Sequence, residues 1–284
     1  VYLDSGWYYE ADTVTIDTDG VYLVGVDSKS SIIDFNNTTA AGGRSIYADG
    51  RTRLTLRGFW VRRGRYGIWL KNVDSSTIEQ VYTDTNGVDG IVLDTSGGSA
   101  SESNTLRGNA SDSNVSYGFR LSSARSNLLI SNSASGNTLD GFRLNSCTGN
   151  QLISNTAAGN TQNGILLSGS SGHTLTSNTA SGNGSTGIQL LTGSDNNTLT
   201  SNTSSGNSND GFVITGSALN VLTSNTSTGN IGAGVDGFTI TGTADNNTLT
   251  SNTASNNGGD GYFLTGAGGT NTLDSNTATG NTSD

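Results

Sequence analysis

Apolar and polar residues alternate along this chain in runs too short for helices. Val1-Tyr2-Leu3, Val14-Thr15-Ile16, Val21-Tyr22-Leu23-Val24 and Ile32-Ile33-Asp34-Phe35 are set apart by turn pairs such as Ser5-Gly6 and Asp19-Gly20. That is the pattern of short strands joined by tight turns. From Leu56 onward the alternation becomes a repeat. The stretch Leu199-Thr200-Ser201-Asn202-Thr203-Ser204-Ser205-Gly206-Asn207 recurs, lightly edited, to the end of the chain. A marker three residues after the prominent Leu or Ile falls at Phe59, Val81, Asn109, Asn132, Asn155, Asn178, Asn202, Asn225, Asn252 and Asn276, with spacings of 22, 28, 23, 23, 23, 24, 23, 27 and 24. A glycine follows nine residues later at Gly90, Gly118, Gly141, Gly164, Gly187, Gly211 and Gly261. The two long steps mark insertions at Asp94–Asn104 and Ile231–Val235.

Each unit predicts three short strands: Asn-Thr-Leu-Thr as at 197–200, Asn-Thr-Ala as at 178–180, and Gly-Ile-x-Leu as at 187–190. Period-two alternation turns Leu199, the small Ala or Ser, Ile188 and Leu190 inward. Gly, Asn, Ser and Thr at this density do not sustain a helix. A three-stranded unit of about 23 residues is one coil of a parallel β-solenoid. The expectation is an all-β chain of about 10–11 coils stacked at ~4.8 Å, a rod of roughly 50 Å. It forms one domain over residues 1–284, less regular in 1–55 and regular in 56–284. Asn132, Asn155, Asn178, Asn202, Asn225, Asn252 and Asn276 should stack at one corner, where Asn tolerates a left-handed turn and its amide bonds to neighbouring coils.

Composition agrees once the repeat is recognised. Only 31% of residues are apolar and 41 are Gly, poor for a two-layer core but sufficient for a thin solenoid interior. Proline, which would break strand ladders, is absent. The net charge is −10, yet every Lys and Arg lies at or before Arg143. A nucleic-acid partner for the whole chain is therefore not expected. The single cysteine, Cys147, excludes an intramolecular disulfide. No apolar run reaches membrane-spanning length. The chain carries neither a signal peptide nor an initiator Met, which reads as a processed or trimmed product. Sequons such as Asn109-Ala110-Ser111 and Asn225-Thr226-Ser227 accompany an expected extracellular or cell-surface location.

The repeat, with the opening Val1-Tyr2-Leu3-Asp4-Ser5-Gly6-Trp7-Tyr8 and Val21-Tyr22-Leu23-Val24-Gly25, resembles the right-handed parallel β-helix, or pectate-lyase-like, superfamily. The resemblance covers nearly the whole chain and implies a right-handed solenoid. It leaves function open, because that superfamily includes polysaccharide lyases, glycoside hydrolases, uronan epimerases, tailspikes, adhesins and non-enzymatic surface proteins. In the lyases it resembles, acidic residues on one face bind Ca²⁺ and an Arg or Lys abstracts the sugar proton. No catalytic motif of the family transfers residue by residue.

The alignment groups three sets of outward residues in the early coils. Arg57, Glu79 and Arg107 share one column, Trp60 and Tyr82 a second, and Arg62, Asp84 and Asp112 a third. Aromatic platforms beside two carboxylates about 5 Å apart suit a sugar, a Ca²⁺ ion or an acid/base pair. A solvated salt-bridge ladder explains them as simply. An enzyme built here would use Arg57, Asp84, Arg107 and Asp112, with Asp84 and Asp112 as the Ca²⁺ candidates and no other cofactor implied. The insertion at Asp94–Asn104 would wall a groove beside them. A second, basic and aromatic set comprises Arg62, Arg63, Arg65, Tyr66, Trp69 and Lys71, with Arg120 and Arg143 in the outward column of Trp69. It suits uronate or sulfate groups, or contact with an acidic surface.

Other motifs carry less. Thr174-Leu175-Thr176, Thr198-Leu199-Thr200 and Thr248-Leu249-Thr250 resemble the ice-contacting arrays of antifreeze solenoids, but Val221 and Asp274 interrupt them, and Thr is a common exposed strand residue. Asp210, Asp236 and Asp260 each precede a glycine and fit turn chemistry. Gly232-Ala233-Gly234-Val235-Asp236-Gly237 matches a dinucleotide fingerprint in letters only, since a strand pattern follows it. His173 stands in the Asn150 and Asn197 column without a second His, giving neither a triad nor a metal set. Neither chain end shows a cap: Val1 begins in strand, and Asn271–Asp284 supplies two strands of a coil. Exposed strand edges favour end-to-end pairing. The expectation is therefore a structural surface protein assembling head to tail. The alternative is an acidic-polysaccharide lyase, epimerase or binding protein, and the minor one an ice-binding solenoid.

Overall fold

A computed structural model describes residues 1–36, 46–95, 100–266 and 269–283. The described chain is all-β and winds as a parallel β-solenoid. Each coil contributes one strand to each of three sheets. Sheet A runs from Tyr2–Leu3 to Thr272–Asp274 and sheet B from Gly6–Tyr9 to Thr277–Thr279, with twelve strands each. Sheet C runs from Val14–Ile16 to Tyr262–Thr265 with eleven. No helix of the described residues is long and apolar enough to cross a membrane.

Coil-to-coil register is residue for residue, as the spacings predict. Leu56, Ile78, Leu106, Leu129, Leu152, Leu175 and Leu199 form one inward column on sheet A. Sheet B turns small residues inward, Ala134, Ala157, Ala180 and Ser204. Sheet C turns in two columns, one of Ile and Phe (Ile91, Phe119, Phe142, Ile165) and one of Leu (Leu93, Leu121, Leu144, Leu167). Small residues on one wall of the regular coils admit large ones from another, so a few strand side chains per coil, with the buried corner residues, fill the core, consistent with the low apolar content. The glycine before each sheet C strand from Ile68–Lys71 onward belongs to this fit. At Gly141 a Cβ would lie 2.8 Å from the Gly164 carbonyl oxygen and 2.9 Å from the Ala157 Cβ. The insertion expected to wall a groove at Asp94–Asn104 has residues 96–99 outside the described residues.

Three corners of each regular coil follow one rule. A residue with left-handed backbone precedes a buried, inward Asn: Ser131 (φ 55°) before Asn132, Gly136 (φ 62°) before Asn137, Ser126 (φ 53°) before Asn127. The sequence reading put the left-handed conformation on the Asn. The structure puts it on the preceding Ser or Gly, which frees the Asn amide to point inward. Asn132 Nδ2 donates to the Leu106 carbonyl at 2.9 Å and to Asn155 Oδ1 at 2.9 Å, while Asn132 N–H also donates to Asn155 Oδ1 at 2.9 Å. Both amide ends are thereby satisfied in a buried site, where an unmade bond costs about 1–3 kcal/mol. Three such ladders run along the rod. The one through Asn137, Asn160, Asn183, Asn207 and Asn230 was not singled out from the sequence, although Gly-Asn recurs there.

Candidate functional site

Since inward columns are spent on the core, chemistry is left to outward ones, and these are distinctive only in the early coils. On sheet B, Trp7, Ile32, Trp60, Tyr82 and Ala110 share one outward column. Trp60 and Tyr82 stack at 5.1 Å with 29° between planes. Trp60 Nε1–H donates to Asp84 Oδ1 at 2.7 Å, and the Arg62 guanidinium lies 4.5 Å from the Trp60 ring and 3.5 Å from the same carboxylate. Asp84 and Asp112 occupy adjacent coils in register, as the alignment predicted. Burial raises both carboxyls above their ordinary value; for Asp112 the neighbouring Asp84 charge adds to the shift. Burial, with the same two charges, pushes the Tyr82 hydroxyl up to about 12, so it stays a phenol at neutral pH.

The register also aligns Arg57, Glu79 and Arg107 on sheet A, with Arg57 and Glu79 3.4 Å apart. Between sheets A and B, the loop from Val26 to Ser30 stands over this corner. Asp27 pins it: Oδ1 accepts the Lys29 and Ser30 N–H groups at 2.7 and 2.9 Å, and Oδ2 accepts the Ser30 hydroxyl at 2.7 Å. A cavity of about 560 Å³ opens on one side, with Arg57 and Gln80 in its wall, and one of about 310 Å³ on the other, with Lys29, Tyr82 and Asp112. Ser28 and Gly108 line both. The loop went unnoticed in the sequence because it lies in the irregular 1–55 region.

The basic set divides at the corner between sheets B and C. Arg63 is held to buried Asp34 through Nε and Nη2, at 2.9 and 2.6 Å. Arg62 is engaged by Trp60 and Asp84. Tyr66, Trp69 and Lys71 belong to sheet C and its approach, where Tyr66 packs 4.8 Å from Trp69, Arg65 lies 5.5 Å from the Tyr66 ring and Lys71 pairs with Asp49 at 3.0 Å. Tyr47, Trp69, Val92, Arg120 and Arg143 run in one outward column. Beside them is a cavity of about 530 Å³ lined by Tyr66, Asp89, Tyr117, Arg120, Ser122 and Arg143 among others. Its two arginines rest on buried carboxylates: Arg120 Nε donates to Asp89 at 2.6 Å, and Arg143 Nη1 to Asp140 at 3.4 Å. Burial raises both acids, and the arginines oppose that shift. Arg143 also lies 5.9 Å from the Tyr117 ring. Each guanidinium is aimed by its acid and about a quarter exposed (23% and 24%), so donors remain for a ligand. Tyr117 and Asp89 were not read from the sequence. Asp89-Gly90 is the same pair as Asp210-Gly211, and that likeness was the available signal.

The remaining motifs are structural. Asp210, Asp236 and Asp260 do line up, and each of the first two carboxylates accepts the next coil's N–H, at 2.8 and 2.7 Å. His173 replaces an Asn: Nδ1 accepts the Asn150 N–H at 2.9 Å and its own N–H donates to Asn197 at 2.8 Å. Beyond Arg143 the outward columns of sheets A and B are mainly Thr and Ser, unbroken on sheet B through Thr156, Thr179, Thr203, Thr226, Thr253 and Thr277, while the sheet C column of Arg120 and Arg143 continues as Leu166, Gln189, Val213, Thr239 and Phe263.

No group of three or more His, Cys, Asp or Glu among the described residues is placed to hold a metal ion. As Ca²⁺ candidates, Asp84 and Asp112 are already engaged, Asp84 by Trp60 and Arg62, Asp112 by the Ser135 N–H at 2.9 Å. Copper ligation would fall to one His, one Cys and no Met. The His173 Nδ1 lone pair is spent in its ladder, and burial pushes the Cys147 thiol up to about 11. This donor set does not fit a copper ion, which is bound through free imidazole, thiolate or thioether.

Two family models match the chain. The one described as right handed beta helix region matches residues 99–237 and 195–284, and the one described as periplasmic copper-binding protein (NosD) matches residues 7–161. Among solved structures, the chain is similar to the periplasmic alginate epimerase AlgG, at 14% identity and a TM-score of 0.72 over 96% of this chain and 78% of that one. It is similar to the A-module of Azotobacter vinelandii mannuronan C-5 epimerase AlgE4, at 19% identity and a TM-score of 0.67 over 99% and 87%. It is also similar to the catalytic unit of a thermostable GH87 α-1,3-glucanase from Streptomyces thermodiastaticus, at 15% identity and 0.71 over 97% and 62%. At these identities the likeness is one of fold. No curated protein matches the chain.

Proposed function

The chain belongs to the right-handed β-helix family and to the NosD family, and from that premise we propose that it is an exported protein, periplasmic or extracellular, that binds acidic polysaccharide. The observation that carries this reading is the sheet C cavity. Arg120 and Arg143 project from adjacent coils, each oriented by a buried carboxylate, into a cavity that Tyr66 and Tyr117 also line. Planar guanidinium groups one coil apart, about 4.8 Å, suit the carboxylates of a uronate chain, and the flanking rings suit its sugar faces. Arg65, Trp69 and Lys71 lie toward the same sheet and extend the track. The described epimerases and glucanase act on polysaccharides by their names, and the periplasmic descriptions of one epimerase and of the NosD family support export.

The Arg57, Asp84, Arg107 and Asp112 set remains the candidate for chemistry, without a role in this binding reading. End-to-end assembly drew on the chain termini, and the described fold adds no observation in its favour. The test is affinity for oligouronates against neutral oligosaccharides of equal length, for the wild-type chain and for Arg120→Ala with Arg143→Ala. Selective uronate binding that falls on the order of a hundredfold in the double variant is expected, two charge-assisted contacts being worth about 3 kcal/mol or more. Equal affinity for wild type and variant would remove the reading. A change in uronate stereochemistry or chain length during incubation would extend it to catalysis.

A further inference from the structure

The corner between sheets A and B carries a second built recess on a different face of the rod. The aromatic column of sheet B passes from Trp60 to Tyr82 and then drops to Ala110. Trp60 covers one face of the Tyr82 ring, stacked at 5.1 Å. Replacing the next ring of the column by a methyl group leaves space beside the other face, and a cavity of about 310 Å³ stands there, bounded by Lys29, Tyr82, Ala110 and Asp112. The Val26–Ser30 loop, pinned by Asp27, roofs it and separates it from the 560 Å³ chamber beside Arg57 and Gln80. Cavities of a few hundred Å³ with an aromatic wall and a few convergent polar groups are where small ligands bind.

We propose that this notch is a second saccharide site, specific for an uncharged pyranose ring. The C–H face of the ring lies on the open side of Tyr82, as apolar ligand surface packs on aromatic side chains. Its hydroxyls donate to the Asp112 carboxylate and accept from the Lys29 ammonium. One cation and one anion in the lining, Lys29 and Asp112, offer no net charge to a uronate, whereas each satisfies a hydroxyl. The proposal rests on the reading that the protein binds polysaccharide, but it uses none of the sheet C residues. Two sites on different faces would let one molecule bridge two chains, or hold one mixed chain at two points.

Calorimetric titration of the full chain with gluco-, manno- and galacto-configured hexose oligosaccharides tests it. Expected is binding of at least one of these that survives Arg120→Ala with Arg143→Ala, and that weakens tenfold or more in Tyr82→Ala and in Ala110→Trp. Ala110→Trp fills the notch while leaving the Trp60–Tyr82 stack in place, so it stays informative if Tyr82→Ala disturbs the face. Lys29→Ala, on an exposed loop position, should weaken binding severalfold. No binding of neutral oligosaccharide by the wild-type chain, or binding untouched by Ala110→Trp, overturns the proposal. Loss of oligouronate binding only in the arginine variant, with these results, would leave the sheet C reading standing alone. Neutral binding lost in Ala110→Trp, with uronate binding indifferent to the arginines, would leave the notch standing alone.

Discussion

The coils before Arg143 and those after it share one backbone and differ almost entirely in what they show to solvent. Leu106 and Leu199 lie in the same inward column, and Phe142 and Phe238 in the same core position on sheet C. Outside, the early coils carry every described Lys and Arg, the Trp60–Tyr82 stack and the described cavities larger than about 300 Å³. The late coils carry Thr and Ser columns on sheets A and B and an uncharged column of Leu166, Gln189, Val213, Thr239 and Phe263 on sheet C. Stability in a solenoid is a sum of near-identical coil and interface contributions, so it constrains the inward columns everywhere and the outward ones hardly at all. Function is therefore sought where the outward pattern departs from the repeat.

The largest expected effect should ignore the division. Phe142→Ala and Phe238→Ala each remove a ring stacked on a neighbouring ring, at 4.7 Å in both cases. Each should cost about 3–5 kcal/mol, read by denaturant unfolding; a cost confined to one half would show that the halves are not equivalent scaffolds. Next is pH. His173 sits in a buried ladder as a neutral acceptor, and burial lowers its pKa from 6.5 to about 4. Protonation thus favours the unfolded chain: stability is whole above pH 6.5 and falls as pH drops toward 4, by ~3 kcal/mol in total. His173→Asn, restoring the ladder residue, should abolish that slope in unfolding measured across this window.

A smaller contrast lies within one column. Asp89 and Asp236 both accept an N–H from the next coil, but only Asp89 also holds an arginine. Asp89→Asn should destabilise by about 1–3 kcal/mol and loosen Arg120. Asp236→Asn should be neutral or stabilising, because burial and the Asp210 and Asp260 charges already disfavour its carboxylate. Equal losses in unfolding free energy would mean that the ladder bond, not the arginine, dominates. The smallest effect is expected in the late outward columns. Thr203→Ala should change stability by less than about 0.5 kcal/mol, and the wild-type chain should leave ice recrystallisation unchanged. Inhibition of ice growth would give the Thr columns a function.

Much of the early-coil patch was legible from spacing alone. Arg57 with Glu79 and Arg107, Trp60 with Tyr82, and Asp84 with Asp112 are in register as aligned, because parallel strands of constant period leave one register that keeps Leu inward. The Val26–Ser30 loop was not legible, since it precedes the regular repeat and is shaped by one carboxylate capping its own turn. Nor was the partition of the basic set. Arg62, Arg63 and Arg65 are close in sequence, but the corner at Gly64 lies among them, and Asp34 from an earlier coil takes Arg63.

What the sequence determined was the period, and through it the coil, the register and the identity of each column. A repeat fixes geometry because every unit must bury the same few side chains against its neighbours. What only the tertiary structure decided was which outward residues meet across a corner: Tyr66 with Tyr117 and Arg143 around one cavity, Lys29 with Tyr82 and Asp112 around another. Those meetings depend on side-chain reach, on the loops that stand over the corners and on which carboxylate claims each arginine. No period encodes them.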